Sequence, residues 1–367
     1  NFLWAPLIDR LHLPILSKKI GHRKSWIILM QSIIFISLLA WSFLDPSKNL
    51  WLVIAVGLGI AISSATQDIT IDALRIEQIG EDEKDMLSAG AAISVVGWWT
   101  GYKIGGLVSL ISADMLQKQG VENYWQISFL ILSGIIMLCS IGLFFIPEKN
   151  SKDKIKLQKL ADQEIIDKIG TSNNFIKIFA WLYSTVINPL LSFFKKNTLG
   201  VAFSILGFIF LFKIGEAFLG RMSLVFYKEI GFSKTDIALY SKGIGWITTV
   251  TFTLLGGLFA VRMGLIKAMF LSGILMALTN VMFSVLAWYG NSEFLFAFTV
   301  LIDDLAAAFA TVAFVGFISA LVDRNYTATQ YALLASIGTA GRTLFASSSG
   351  MVVDWLNGDW IIFFIIT

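Results

Sequence analysis

Nine stretches of mostly apolar residues dominate this sequence, at about 25–44, 50–74, 87–111, 125–146, 200–226, 238–261, 265–287, 293–322 and 327–353. A hydrocarbon layer about 30 Å thick is crossed by about 20 apolar residues wound as a helix, so each stretch is long enough to span a bilayer once. Composition agrees, with 56% hydrophobic and only 14% charged residues, where soluble domains carry about a quarter charged. A water-soluble enzyme is thereby excluded. The formal charge of +3 is too small to mark a nucleic-acid binder. The single cysteine, Cys139, lies inside an apolar stretch and is expected to be a small core side chain, which leaves no intramolecular disulfide and no cysteine metal cluster. His12 and His22 both sit near the first loop, so neither a histidine metal site nor a histidine proton wire through the bilayer is expected, and no cofactor is required. Residues 1–8 read as the tail of a further span and residues 360–366 as the start of another, each cut short.

Basic residues in short loops set the orientation of such a chain, because they stay in the cytoplasm. Of the 28 Lys and Arg residues, 19 fall in one set of alternate loops, five in the other and four inside spans. Loops around 9–25 and 75–86, and the long loop at 147–199, are therefore expected on the cytoplasmic side. The long loop divides the chain into an N-terminal helical bundle (1–146), a linker (147–199) and a C-terminal helical bundle (200–367). Residues 149–168 are polar, as in a solvated linker. Residues 175–194 carry Phe175, Phe179, Trp181, Tyr183, Phe193 and Phe194 before Lys195-Lys196, which predicts an amphipathic segment in the membrane surface rather than a tenth span.

Ionised side chains inside a bilayer cost about 2.5–3.5 kcal/mol each on insertion scales, so each needs a partner, a wet cavity or a task. Asp68, Asp72 and Arg75 fall at i, i+4 and i+7 on one helical face. Asp72 and Arg75 are spaced to pair near the helix end, whereas Asp68 and neighbouring Gln67 suit the lining of a polar cavity. Lys213 and Glu216 are three apart and thus neighbours; Glu216 becomes a candidate proton carrier if Lys213 swings toward a substrate. Asp303 and Asp304 are adjacent, and a helix turns them apart by about 100°. Arg342 and Lys103 are cations well inside their spans, suited to anionic substrate groups. Gly97, Gly101 and Gly105 form a small-residue ridge expected to admit a second helix, with Trp98, Tyr102 and Lys103 as its substrate-facing neighbours. Trp51, Trp125 and Trp288 fall near span ends, as in interfacial belts.

Two turns carry a family signal. Asp9-Arg10 followed by Gly21-His22-Arg23-Lys24, and Gly257-Leu258-Phe259-Ala260-Val261-Arg262-Met263-Gly264, resemble the Gly-x-x-x-Asp-Arg-x-Gly-Arg-basic loop of the major facilitator superfamily, which occurs once in each half of its members. The first copy has an insertion and the second has Val261 at the Asp position. Further blocks in order resemble one branch of that superfamily, the AmpG-like muropeptide permeases related to acetyl-coenzyme A transporters. They are Phe2 to Arg10, Ala65-Thr66-Gln67-Asp68-Ile69-Thr70-Ile71-Asp72-Ala73, Gly97 to Gly106, Lys213-Ile214-Gly215-Glu216-Ala217, and Thr327-Ala328-Thr329-Gln330-Tyr331-Ala332-Leu333-Leu334. The resemblance implies an all-α polytopic membrane protein of two six-helix bundles, here truncated at both ends. It also implies a bacterial inner-membrane importer, monomeric and driven by protons, of anhydro-muropeptides, the disaccharide-peptide fragments of the cell wall. On this reading Gln67, Trp98, Tyr102, Lys103, Lys213, Gln330 and Arg342 bind substrate. Asp68, Glu216, Asp303 and Asp304 carry protons, and Asp9, Arg10, Asp72, Arg75 and Arg262 belong to the gating loops. The family usually has Arg at Lys103, and an ammonium lacks the bidentate fork that grips a carboxylate. The alternative cargo is another amphiphilic anion, such as an acyl-coenzyme A or a peptide. A remoter alternative is a magnesium-dependent prenyl-transfer enzyme built on Asp68-x-x-x-Asp72, for which no second such run exists.

Overall fold

In a computed structural model the chain is described at residues 2–45, 47–80, 83, 86–148, 156, 159–160, 163–164, 167, 174–233 and 245–367. Most of the polar stretch 149–168, together with Lys84, Lys234, Lys242 and the start of the span expected from 238, lies outside the described residues. Helices occupy all nine expected places. They are α1 (Ala5–Arg10), α2 (Leu16–Ile20), α3 (His22–Phe43), α4 (Leu50–Gln78), α5 (Met86–Lys118), α6 (Tyr124–Leu143), α7 (Asn174–Lys196), α8 (Leu199–Leu211), α9 (Ile214–Glu229), α10 (Gly245–Met263), α11 (Leu265–Tyr289), α12 (Glu293–Leu321), α13 (Thr327–Trp355) and α14 (Trp360–Ile366), with a 3-10 turn at Arg324–Tyr326. Among the described residues, seven segments are long and apolar enough to cross a membrane, with α8 and α9 counted as one. The expected spans on α5 and α13 form helices of 33 and 29 residues, but their Ser, Thr, Gly and charged residues leave them less apolar.

Apolar side chains on these helices point outward as often as inward. Phe43, Phe203, Ile247, Ile266 and Phe270 are all exposed, as expected where helices face lipid rather than water. Cys139 follows the same rule. It is exposed on α6, so its expected place in the core is corrected: in a bilayer an apolar run does not imply burial in protein. Trp51, Trp125 and Trp288 are exposed near helix ends, as interfacial anchors are.

The helices form two compact units. The first comprises Asn1–Gln78, Gly101–Lys196 and Val322–Leu333; the second comprises Ile79–Thr100, Asn197–Leu321 and Leu334–Thr367. In the first, α3 packs along α4 and α6, and Ala5, Ile8, Ile69, Ala73, Ala328 and Ala332 form a small-residue core that lets α1, α4 and the start of α13 approach closely. In the second, α12 packs on α10 and α11, and α11 on α14. Its core is aromatic: Phe226, Tyr227, Phe283, Phe296, Trp360 and Phe364 interlock with ring centroids 4.7–6.4 Å apart, a spacing that favours edge and offset contacts.

Close helix approach is made elsewhere than expected. Among the described residues, a Cβ at Gly97, Gly101 or Gly105 would meet nothing within 4 Å, so none of them packs on that ridge. Tight contacts fall instead at Gly257, whose Cβ would lie 2.5 Å from that of Ala92, at Gly316 against Ser88, and at Gly341 against the Phe210 carbonyl. Gly101→Ala is thus expected to be neutral or to stabilise by about 0.5–1 kcal/mol through helix propensity. A thermal melt of the purified chain checks this, and a lower midpoint would mean that the ridge has an occupant.

The span expected at 200–226 is interrupted. Helix α8 ends at Leu211 and α9 restarts at Ile214, with Lys213 at φ −104° and ψ 22°, outside helical geometry. Broken spanning helices expose unpaired backbone groups and are tolerated where they face protein or a wet cavity. This break sits beside the intramembrane charges.

Candidate gating and substrate sites

The first unit contains a buried charged cluster built on the first basic loop. Arg23, at the start of α3, is 0% exposed and Asp9, near the end of α1, 1%. Arg23 Nη2 lies 2.5 Å from Asp9 Oδ1 and 2.6 Å from Glu77 Oε1 on α4, and Arg23 Nε donates to Glu77 Oε2 at 3.2 Å. Its third nitrogen, Nη1, donates to the carbonyl of Ile8 at 3.2 Å. The planar fork of Arg serves two carboxylates and a carbonyl at once.

Asp9 faces a second partner. Its Oδ2 accepts from the backbone N–H of Thr329 at 2.8 Å and from the Thr329 hydroxyl at 2.7 Å, and its Oδ1 accepts from Ala328 N–H at 3.2 Å. A carboxylate there meets the unsatisfied N–H groups and positive dipole end of α13. The adjoining Arg10 turns the other way, with Nη2 donating to Ser184 Oγ at 2.6 Å and Nε to Thr185 Oγ1 at 3.1 Å, both on α7. Glu148 caps α3 by accepting from the N–H groups of Arg23 and Lys24 at 2.7 and 3.0 Å. Gly21 makes that approach possible: its φ is +102°, and a Cβ would collide with the Glu148 carboxylate. Arg10, Arg23 and Lys24 are buried in this loop, Arg10 against two hydroxyls and Arg23 against two carboxylates, while Lys18 and Lys19 are exposed.

Asp72 and Arg75 pair as their spacing suggests, Oδ1 to Nη2 at 3.0 Å, and the Arg75 guanidinium lies 5.9 Å from the centre of the buried Tyr331 ring. Asp68 lies one turn back on α4 and is exposed. The neighbouring Gln67 has a buried Oε1 with no hydrogen-bond partner among the described residues, an acceptor without its proton. Gln330 is buried and committed to structure: its Nε2 donates to the Pro189 carbonyl at 2.8 Å and to Ser192 Oγ at 2.7 Å, and its Oε1 accepts from Asp323 N–H at 2.6 Å. Trp98 and Tyr102, four residues apart on α5, are exposed on a common face, and Lys103 is partly buried.

In the second unit, charges from the start of α9 and from α13 meet a hydroxyl of α12 at the break between α8 and α9. Lys213 Nζ lies 2.8 Å from Glu216 Oε2 and donates to Thr311 Oγ1 on α12 at 2.8 Å. Arg342 on α13 brings Nη2 to 3.6 Å from Glu216 Oε1 while half of its side chain stays exposed. One carboxylate thus lies between two cations, one nearly buried and one open. The adjacent acids diverge as helical geometry requires: Asp303 Oδ1 accepts from Thr279 on α11 at 3.0 Å, and Asp304 Oδ2 from Thr248 on α10 at 3.3 Å. Arg262 is exposed near the end of α10. Sequence reasoning missed Glu77, Glu148, Thr311 and Thr329, and counted Arg23 only as a loop charge. The Gly21-His22-Arg23-Lys24 turn was the available signal for Arg23.

A family description, Major Facilitator Superfamily, matches residues 1–366. The chain belongs to the Major Facilitator Superfamily. Its AmpG-like character is borne out by curated relatives of this superfamily. A Rickettsia conorii protein named "Putative transporter AmpG 4" is 33% identical over 363 residues, covering 99% of this chain and 80% of that protein. The Escherichia coli K12 "Anhydromuropeptide permease" is 29% identical over 356 residues, covering 96% of this chain and 64% of that protein. Solved superfamily structures share the fold. The proton:xylose symporter XylE superposes with a TM-score of 0.58 at 15% identity, covering 99% of this chain and 81% of that one. The human organic anion transporter MFSD10 gives 0.56 at 16%, covering 100% and 79%. The protein is therefore a multi-pass membrane transporter and not an enzyme.

Proposed function

We propose that this transporter imports anhydro-muropeptides into the bacterial cytoplasm together with protons, by alternating access of an N-terminal bundle (1–146) and a C-terminal bundle (200–367) joined by the linker 147–199. The reading is supported by the permease name of the Escherichia coli relative and by one local observation, the Lys213–Glu216–Arg342 constellation at a helix break. A disaccharide-peptide presents carboxylates, amides and sugar faces, so its site needs cations, polar groups and flat rings together. Lys213, Lys103 and Arg342 answer the carboxylates, Gln67 the amides, and exposed Trp98 and Tyr102 the sugar faces. Gln330 holds α7 against the start of α13, which supports a positioning role for it.

Coupling follows from competition. A substrate carboxylate that draws Lys213 and Arg342 away leaves Glu216 without its counter-cations, and a carboxylate so stranded takes up a proton. Asp68, Asp303 and Asp304 are the further acids on the route. Asp9, Arg10, Asp72, Arg75 and Arg262 hold the loops that gate it. The test is uptake of labelled anhydro-muropeptide into proteoliposomes with and without an inward proton gradient. Gradient-dependent accumulation is expected. Glu216→Gln is expected to lower accumulation to the no-gradient level while counterflow exchange persists. Full accumulation by that variant removes Glu216 from the proton path, and uptake of an acyl-coenzyme A in place of muropeptide overturns the cargo.

A further inference from the structure

Helix α7 wears its polarity inside out. Ser184 and Thr185 are buried and accept from Arg10, while the Pro189 carbonyl and Ser192 accept from Gln330. With its hydroxyls turned toward the rest of the first unit, the helix leaves Leu182 (48%), Val186 (46%) and Leu191 (37%) exposed. A soluble helix does the opposite. The C-terminal end adds a depth marker: α7 ends at Lys196 and the spanning helix α8 begins at Leu199. Three residues reach at most about 11 Å, so Lys195 and Lys196, both exposed, lie where a spanning helix enters the membrane. Alternate-loop charge puts that boundary on the cytoplasmic side.

We propose that α7 is an anionic-lipid anchor. Leu182, Val186 and Leu191 seat among the upper acyl chains, and Lys195 and Lys196 take the phosphates of anionic headgroups. Two ammonium groups at the headgroup level of a leaflet rich in anionic lipid are complementary in charge, and the apolar residues need a cover that water does not give. Arg10 bridges this anchor to Asp9, so the carboxylate that caps α13 is tied to the membrane surface through one residue.

The test uses the full chain with Cys139→Ser and a single introduced thiol, Leu182→Cys or Val186→Cys. The thiol carries an environment-sensitive fluorophore, and the protein sits in nanodiscs of phosphatidylcholine with or without phosphatidylglycerol. Lipid nitroxides near the headgroup are expected to quench the label more than nitroxides near the chain terminus, and aqueous iodide is expected to quench it weakly. Lys195→Gln with Lys196→Gln is expected to reduce phosphatidylglycerol enrichment around the protein by roughly fivefold per lysine, with Lys→Arg at both positions retaining it. A label open to iodide and blind to lipid quenchers overturns the anchor. Stronger quenching by the deep nitroxide makes α7 a span instead, and unchanged enrichment in the double Gln variant removes the headgroup contact.

Discussion

Replacing Arg23 by Met is expected to destabilise the first unit by about 3–5 kcal/mol, the range for breaking a buried ion pair from one side. The cost arises from what is left behind. Asp9 keeps the α13 N–H groups but loses the Arg23 guanidinium, Glu77 loses the two bonds that Arg23 gives it, and the Ile8 carbonyl loses a donor. Arg23→Lys is expected to recover only part of this, because one ammonium does not span two carboxylates and a carbonyl as the Arg fork does. Thermal melts of the purified chain, followed by size-exclusion fluorescence, measure both variants. A Met variant that melts with the parent would show that the cluster contributes nothing to stability.

The same cluster has a consequence for movement. Asp9 satisfies two separate partners, the Arg23 guanidinium through Oδ1 and the start of α13 mainly through Oδ2. Any motion that draws α1 from α13 must give up the second set while keeping the first. The cost is limited to a few charge-assisted hydrogen bonds, each worth about 1.5–3 kcal/mol net, which is small enough to be reversed by a bound substrate. Helix α7 is held by Arg10, the next residue, so the arm, the cap and the surface helix are bonded in series.

What was legible in the sequence was whatever one helix decides by itself. The i, i+3 spacing of Lys213 and Glu216, the pairing of Asp72 with Arg75, and the divergence of Asp303 from Asp304 all follow from helical pitch, and the structure has each of them. Partner choice between distant segments was not legible. Asp9 finds Thr329 across 320 residues and Arg23 finds Glu148 across 125, and nothing local distinguishes those acids from solvated ones. Lipid caused the other errors. It makes an apolar Cys139 exposed and leaves the Gly97-Gly101-Gly105 ridge uncovered, because intuitions about inside and outside come from water. The break at Phe212-Lys213 was hidden by the hydrophobicity on either side of it, since residues 199–229 average as one span.

Gly341→Ala is expected to damage both stability and transport, in contrast to Gly101→Ala. A Cβ at 341 would stand 2.0 Å from the Phe210 carbonyl oxygen and 2.9 Å from its carbon. Those are backbone atoms near the end of α8, so no side chain can rotate to make room. The helices α8 and α13 must separate by about 1 Å or more, and overpacking of this kind typically costs 1–3 kcal/mol. The next residue is Arg342, whose guanidinium is already 3.6 Å from Glu216. A shift of that size takes the pair beyond ion-pair reach and leaves Lys213 alone to hold the carboxylate. Coupling should then suffer more than binding: proton-driven accumulation is expected to fall several-fold further than counterflow exchange in the same vesicles. Arg342→Gln, which leaves the helix contact intact, separates the two effects, and it should reproduce the coupling defect without the drop in melting temperature. If Gly341→Ala melts and transports like the parent, the close approach of α8 to α13 does not set the position of Arg342.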